Sequence, residues 1–220
     1  MTDEEREGLA QYLLRTARMD ACDRGDPFAL AGALGVRLSP TTVPGCAGLL
    51  EGNPVRVRYD DRGPAVVVDG RLAHELAHLA AEMARVARPH DEEDMDAVGL
   101  ALRVPREAVR RAVAQHGWNA ERLAARFPDV EPSAVIARAA RVAEGIAILH
   151  VNRRRVVAAD ERIVVPPSLP VEQALVAAVR ASGAPCRHPS GVSAWPFVDP
   201  GDRAGIAVLG PAWAWPSVAA

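Results

Sequence analysis

The chain contains no lysine; all 26 of its basic residues are arginine. With so much Ala, Gly and Pro beside it, this reflects a GC-rich coding sequence and carries no function of its own. Aromatic residues make up only 4 %, which argues against a broad stacking surface for single-stranded nucleic acid. Cysteine is rarer still, with Cys22, Cys46 and Cys186 the 3 present. An odd, sparse set excludes a disulfide framework and points to a reducing compartment. No uncharged apolar run reaches ~18 residues, so no membrane span is expected. The start, MTDEEREGLAQYLL, has neither a basic nor an apolar secretory region. Net charge is close to balance, at −2, so nothing global points to nucleic acid or to an acidic tail. These absences together lead to the expectation of a cytoplasmic protein with no membrane partner.

What is present suits an ordinary globule. Hydrophobic residues are 49 % and charged residues 25 % of 220, enough for one large domain or two small ones. Residues 4–22 read as an amphipathic helix, with Leu9, Leu13 and Ala17 at helical spacing. Asp26-Pro27 opens a short second helix that Gly35 stops. Residues 55–59 (VRVRY) alternate as an exposed strand does, and Ala65, Val66, Val67 and Val68 read as a second strand across the turn 60–63. A helix is then expected from about Arg71 to Val86, a break at 89–93, and a helix from Glu92 to Leu102. Pro105 begins a helix through His116, closed by Gly117. Asn119 caps a helix to Phe127, and Ser133 one to Glu144. Beyond Gly145 the segments GIAILHV, RVVAAD, RIVV, GVSAWPFV and AGIAVLG read as strands, with a helix from Ser168 to Ser182 among them.

The chemistry gathers at His74-Glu75-Leu76-Ala77-His78, an HExxH. Positions i and i+4 share a helix face about 6 Å apart, so both imidazoles can reach one zinc ion. Glu75 sits beside them as a candidate base for activated water. A catalytic zinc needs a third protein ligand and an open position. Glu82 lies too far along the helix axis to share the ion. The next acidic cluster is Asp91-Glu92-Glu93-Asp94-Met95-Asp96. Glu92 and Asp96 share a helix face, suiting a ligand and a carboxylate that orients a ligating histidine. Glu93, Asp94 and His90 are rival third ligands.

The run VVVDGRLAHELAHLAAE, a short gap, and EEDMDAVGLALRVPREAV resembles the ImmA/IrrE family of zinc metallopeptidases. The resemblance covers roughly residues 5–145. Val98, Gly99 and Arg103-Val104 depart from the family pattern at packing positions. The resemblance implies an α+β fold. A mainly helical zincin-like core with a small β-sheet (1–116) is followed by a helix-turn-helix-like segment (117–145) and a small, reduced GAF-like α/β sensor domain (146–220). It implies one Zn2+ per chain on His74, His78 and Glu92, with Asp96 behind them and Glu75 as the catalytic base. The implied activity is site-specific cleavage of an XRE-type helix-turn-helix repressor, which derepresses stress, mobile-element or phage-defence genes. Single-stranded DNA or a small molecule at the C-terminal domain is a candidate activator. The strand Ala65–Val68 is expected to hold substrate by strand addition, and Tyr59, Arg71, His90 and His116 are candidate donors to the oxyanion.

Other features have two readings each. Cys46 could occupy the open zinc position or be a small buried side chain. Cys186 and His188 have no further ligands around them in sequence. Arg153–Arg155 reads as a hairpin end or a phosphate contact. A non-enzymatic DNA- or signal-binding regulator with a structural zinc is the alternative to a peptidase.

Overall fold

The computed structural model describes residues 1–20, 25–44, 47–50, 52, 54–86, 91–152, 154–160, 163–199 and 203–215, with only the backbone for Leu49, Leu50 and Arg203. Cys22, Cys46, His90, Arg153 and the expected reversal at Arg88-Pro89 lie outside the described residues. The chain divides into two compact units, Met1–Ala108 and Val109–Ala220. Helices and strands are segregated within it, as an α+β fold requires. Among the described residues no helix is long and apolar enough to cross a membrane.

The first unit begins with α1 (Asp3–Thr16), shorter than the expected 4–22. Thr2 and Glu5 close a capping box at its start, satisfying two orphan donors. Asp26 caps α2 (Pro27–Ala33) by accepting from the N–H groups of Phe28 and Ala29, as its sequence position predicts. Three short strands follow: β1 (Arg37–Pro40), β2 (Ala47–Leu50) and β3 (Arg56–Tyr59). β3 lies between the other two, parallel to β1 and antiparallel to β2.

The expected strand Ala65, Val66, Val67, Val68 is corrected: these residues form the first turn of α3 (Ala65–Met83). Pro64, extended at φ −61° and ψ 145°, starts the helix, and its carbonyl accepts from the N–H groups of Val67 and Val68. Val68, Leu72, Ala73 and Leu76 are all buried, and that 3.6-residue spacing outweighs the β propensity of three adjacent valines. With them gone, the hairpin of 55–59 with 65–68 does not form, and they cannot be a substrate-binding strand. α4 (Glu92–Arg103) packs against α3 and α1. Leu13, Leu72, Leu76, Met95 and Leu102 are among the buried side chains at this junction. Burial of each is worth about 1.5–3 kcal/mol. α5 (Arg106–His116) spans the division between the units.

The second unit is built on a five-stranded antiparallel sheet. Its strands are β4 (Gly145–Val151), β5 (Arg154–Ala159), β6 (Cys186–Arg187), β7 (Ser193–Asp199) and β8 (Arg203–Pro211), in spatial order β5-β4-β8-β7-β6. RIVV forms no full strand; only Val164 bridges. α8 (Pro170–Ser182) covers the face bearing Ile146, Ile148, Ala194 and Val208. It starts at Leu169 rather than Ser168 and ends at Gly183, whose φ of +67° favours glycine.

The expected helix pair 117–145 exists as α6 (Ala120–Arg126), capped by Asn119, and α7 (Pro132–Val142). Glu131 and Pro132, not Ser133, begin α7. The pair is no separate segment. α7 packs on β4, β5, β7 and β8, burying Val135, Ile136, Ala139, Ala140 and Val142. A helix spent on covering a sheet has little face left to enter a DNA groove; within α7 only Arg141 is exposed.

Candidate metal centre

α3 and α4 meet where the motif residues lie. His74 and His78 stand one turn apart on α3, and Glu92 is the first residue of α4, after the N-cap Asp91. His74 Nε2 is 3.1 Å from His78 Nε2 and 3.0 Å from Glu92 Oε2, and His78 Nε2 is 3.8 Å from that same oxygen. Ligands around a tetrahedral zinc with bonds near 2.0–2.1 Å stand about 3.3 Å apart. The three separations bracket that value, so the donor set fits one small cation.

Asp96 completes the arrangement. Its Oδ1 lies 2.7 Å from His74 Nδ1. With the proton on Nδ1, His74 donates to Asp96 and turns the Nε2 lone pair toward Glu92 and His78. With His78 in the same Nδ1–H tautomer, two imidazole lone pairs and a carboxylate oxygen converge, a donor set that suits a cation. Glu92 and Asp96 are about three-quarters exposed, whereas the histidine rings are largely covered.

The described cluster of potential metal-holding groups is His74, His78 and Glu92 alone. No family model and no curated protein matches this chain. In fold it is similar to a solved structure. That structure is a Mycobacterium tuberculosis transcriptional regulator, matched at TM-score 0.63 and 14 % identity over 96 % of this chain and 77 % of that one.

The rival ligands divide clearly. Asp94 faces the other way: it accepts from the Met1 amino group at 2.8 Å and from Arg6 at 2.8 and 2.6 Å. Hydrogen bonds from the amino terminus and then from Arg6 hold its carboxyl below the usual range. Glu93 is outside the converging group, and its N–H donates to Asp91. His90 lies outside the described residues. Glu75 is 8 % exposed, on the buried side of α3 beside His74.

The candidate oxyanion donors sit on three different elements, Tyr59 on β3, Arg71 on α3 and His116 on α5. Tyr59 meets Phe28 edge to face, with ring centroids 5.7 Å apart, and burial followed by Asp61 raises its pKa. Arg71 reaches the buried Asp60 at 3.4 Å. His116 closes α5 in the second unit. Cys186 and His188 belong to no described cluster of three metal-holding groups; Cys186 Sγ contacts the Ala184 carbonyl, and His188 Nδ1 lies near Ser190.

One contributor is legible only as a departure from the family pattern. A Cβ at Gly99 would stand 3.1 Å from Ala73 C and from His74 N. Glycine lets α4 lie against α3 beside His74. Arg103, the second departure, is buried and donates to the Val66 carbonyl in the first turn of α3 at 3.2 Å. A glycine three residues past Asp96, at a helix–helix contact, was the available signal.

Proposed function

We propose that this chain is a zinc-dependent endopeptidase of the ImmA/IrrE kind, which cleaves a protein partner at a specific bond. The observation that carries the reading is the convergence of His74, His78 and Glu92, with Asp96 bound behind His74. The zincin-like core, the reduced GAF-like domain and the cytoplasmic location belong to the same reading. The favoured substrate is an XRE-type helix-turn-helix repressor, whose loss derepresses stress, mobile-element or phage-defence genes. Single-stranded DNA or a small molecule is the favoured activator, acting at the C-terminal domain.

Zinc in this position supplies Lewis acidity, acidifying water and polarising a scissile carbonyl. His74, His78 and Glu92 hold the ion, and Asp96 fixes the tautomer and angle of His74. Glu75 takes a proton from the attacking water and delivers it to the leaving amine. The role lost by Ala65–Val68 passes to β2. That strand lies at the edge of the three-stranded sheet and packs against α3, so an extended substrate can add to it through backbone hydrogen bonds.

Elemental analysis of the purified protein tests the site. Near one zinc per chain is expected in wild type and in Glu93→Ala, and near none in Glu92→Ala. Glu75→Gln keeps the zinc and slows repressor cleavage at least 10²-fold, roughly the share of a general base. No zinc after reconstitution, or cleavage undiminished in Glu75→Gln, overturns the reading. A second reading, a non-enzymatic DNA-binding regulator with a structural zinc, is favoured only by the transcriptional regulator of similar fold. It predicts zinc retention with no proteolysis of any candidate.

A further inference from the structure

The three-stranded sheet of the first unit has one face turned inward, where Val57 is fully buried and Tyr59 nearly so. Its other face carries an unusual set of side chains. Arg37 on β1 is the register partner of Arg56 on β3, and Ser39 is the partner of Arg58. On the far side, Gly48 and Leu50 of β2 hold the register positions beside Arg58 and Arg56. All three arginines are exposed. Among the described residues, none of the three guanidinium groups makes a hydrogen bond or an ion pair.

Two arginines directly across a strand pair repel each other, and a third stands two residues along on the same face. Elsewhere in this unit arginines near acids are paired: Arg6 with Asp94, and Arg62 and Arg71 with Asp60. An in-register cation cluster with no acid at the described register positions of its face is stabilised by an anionic partner. We infer that this outer face of β1 and β3 binds the phosphate backbone of a nucleic acid through Arg37, Arg56 and Arg58.

The chemistry favours phosphate over an acidic protein surface. No register position of the face holds an aromatic residue, so it lacks the aromatic anchor that dominates many protein interfaces. For the same reason bases have nothing to stack on, and contact is with the backbone, independent of sequence. Guanidinium groups match phosphate oxygens in bidentate geometry. The inference stands apart from the metal centre and holds whether or not the chain is a peptidase.

The test is fluorescence anisotropy of the full-length protein with a labelled random-sequence oligonucleotide, as duplex and as single strand, between 50 and 200 mM salt. Three phosphate contacts give a log–log slope near −2.7 on duplex, so Kd rises about 40-fold over that range; the single-strand slope is near −2.1. Each of Arg37→Gln, Arg56→Gln and Arg58→Gln lowers the slope by about 1, and the triple Gln variant removes this component. The triple Lys variant keeps the slope, because charge is retained. The triple Gln variant also keeps or raises Tm, since a like-charge contact is removed, which excludes unfolding as the cause. No binding at 50 mM salt, or a slope unchanged in the triple Gln variant, overturns the inference. So does arginine-dependent capture of a polyglutamate peptide in preference to either oligonucleotide, or arginine-dependent self-association without oligonucleotide binding.

Discussion

In the first unit His74 stands between Glu92 and Asp96; in the second, His150 faces Glu172 at 2.8 Å. The chemistry on the two sides is similar, and the charge balance is not. Glu172 is almost wholly buried and gripped by Arg155, whose Nε and an NH2 group donate to its two oxygens at 2.8 and 2.9 Å. A cation is thus built into that cluster. At the first site no arginine among the described residues pairs with Glu92 or Asp96, the carboxylates face solvent, and the two histidine Nε2 atoms lie within 4 Å of one Glu92 oxygen. A histidine–carboxylate pair therefore says little by itself. The location of the compensating positive charge separates a self-contained structural cluster from one that leaves room for an ion.

The comparison is broken most severely at Arg155. Arg155→Ala strands a buried carboxylate, and loss of one partner of a buried pair costs about 3 kcal/mol. All 4 tryptophans (Trp118, Trp195, Trp213, Trp215) lie in the second unit, so urea unfolding followed by their fluorescence reports that unit directly. The zinc content of the same variant is expected to be unchanged.

The converse substitution, Asp96→Ala, leaves the fold intact and weakens zinc binding about 10–100-fold, the usual effect of removing the carboxylate behind a ligating histidine. Competition against a chelator of known affinity measures it. Gly99→Ala has a smaller effect. The added methyl must displace atoms now 3.1 Å away. Overpacking costs roughly 1–3 kcal/mol, but alanine returns about 0.8–1.0 kcal/mol of helix propensity. A net loss near 1 kcal/mol is expected by denaturant titration, together with weaker zinc binding as α4 shifts from His74.

The smallest effect concerns pH. The Asp94 carboxyl is held below its ordinary value of 3.8 by the amino terminus and Arg6. A depressed carboxyl contributes stability that is full above its unfolded pKa and is lost as pH falls through the folded one. Relative to Asp94→Asn, the wild type should keep a constant advantage from pH 5 to 7 and lose it below about pH 4. Urea midpoints at each pH check this. An advantage that grows on acidification would show the assignment of the contact to be wrong.

Much of the candidate site was legible because helical spacing is local. HExxH fixes His74 and His78 on one face whatever else the chain does. The choice of Glu92 over Glu93 and Asp94 was less accessible, since two residues of rotation on α4 separate a candidate ligand from an anchor. The run Ala65–Val68 misled for a related reason. Composition there favours a strand, and only packing of Val68, Leu72 and Leu76 into the core of the first unit makes it helical. Residues 120–142 likewise form two helices, the first capped by Asn119 as expected and the second begun by Pro132 instead of capped by Ser133, but nothing local specifies that the second lies on a sheet whose strands begin at Gly145.

By itself, the sequence determined what neighbours within about four positions decide. Those features are the capping box of Thr2 and Glu5, the Asp26 and Asn119 caps, the glycine stop at Gly183 and the pairing of two imidazoles on α3. Only tertiary structure decided the contacts that cross long loops. Asp96 is bound to His74 across 22 positions, Asp94 is drawn away to Arg6 across 88, and Gly99 seats α4 beside the ligand. Caps and helix faces follow from backbone geometry that any local segment shares. The choice among three adjacent acids depends on where a second helix docks, and burial of apolar surface from the whole unit sets that position.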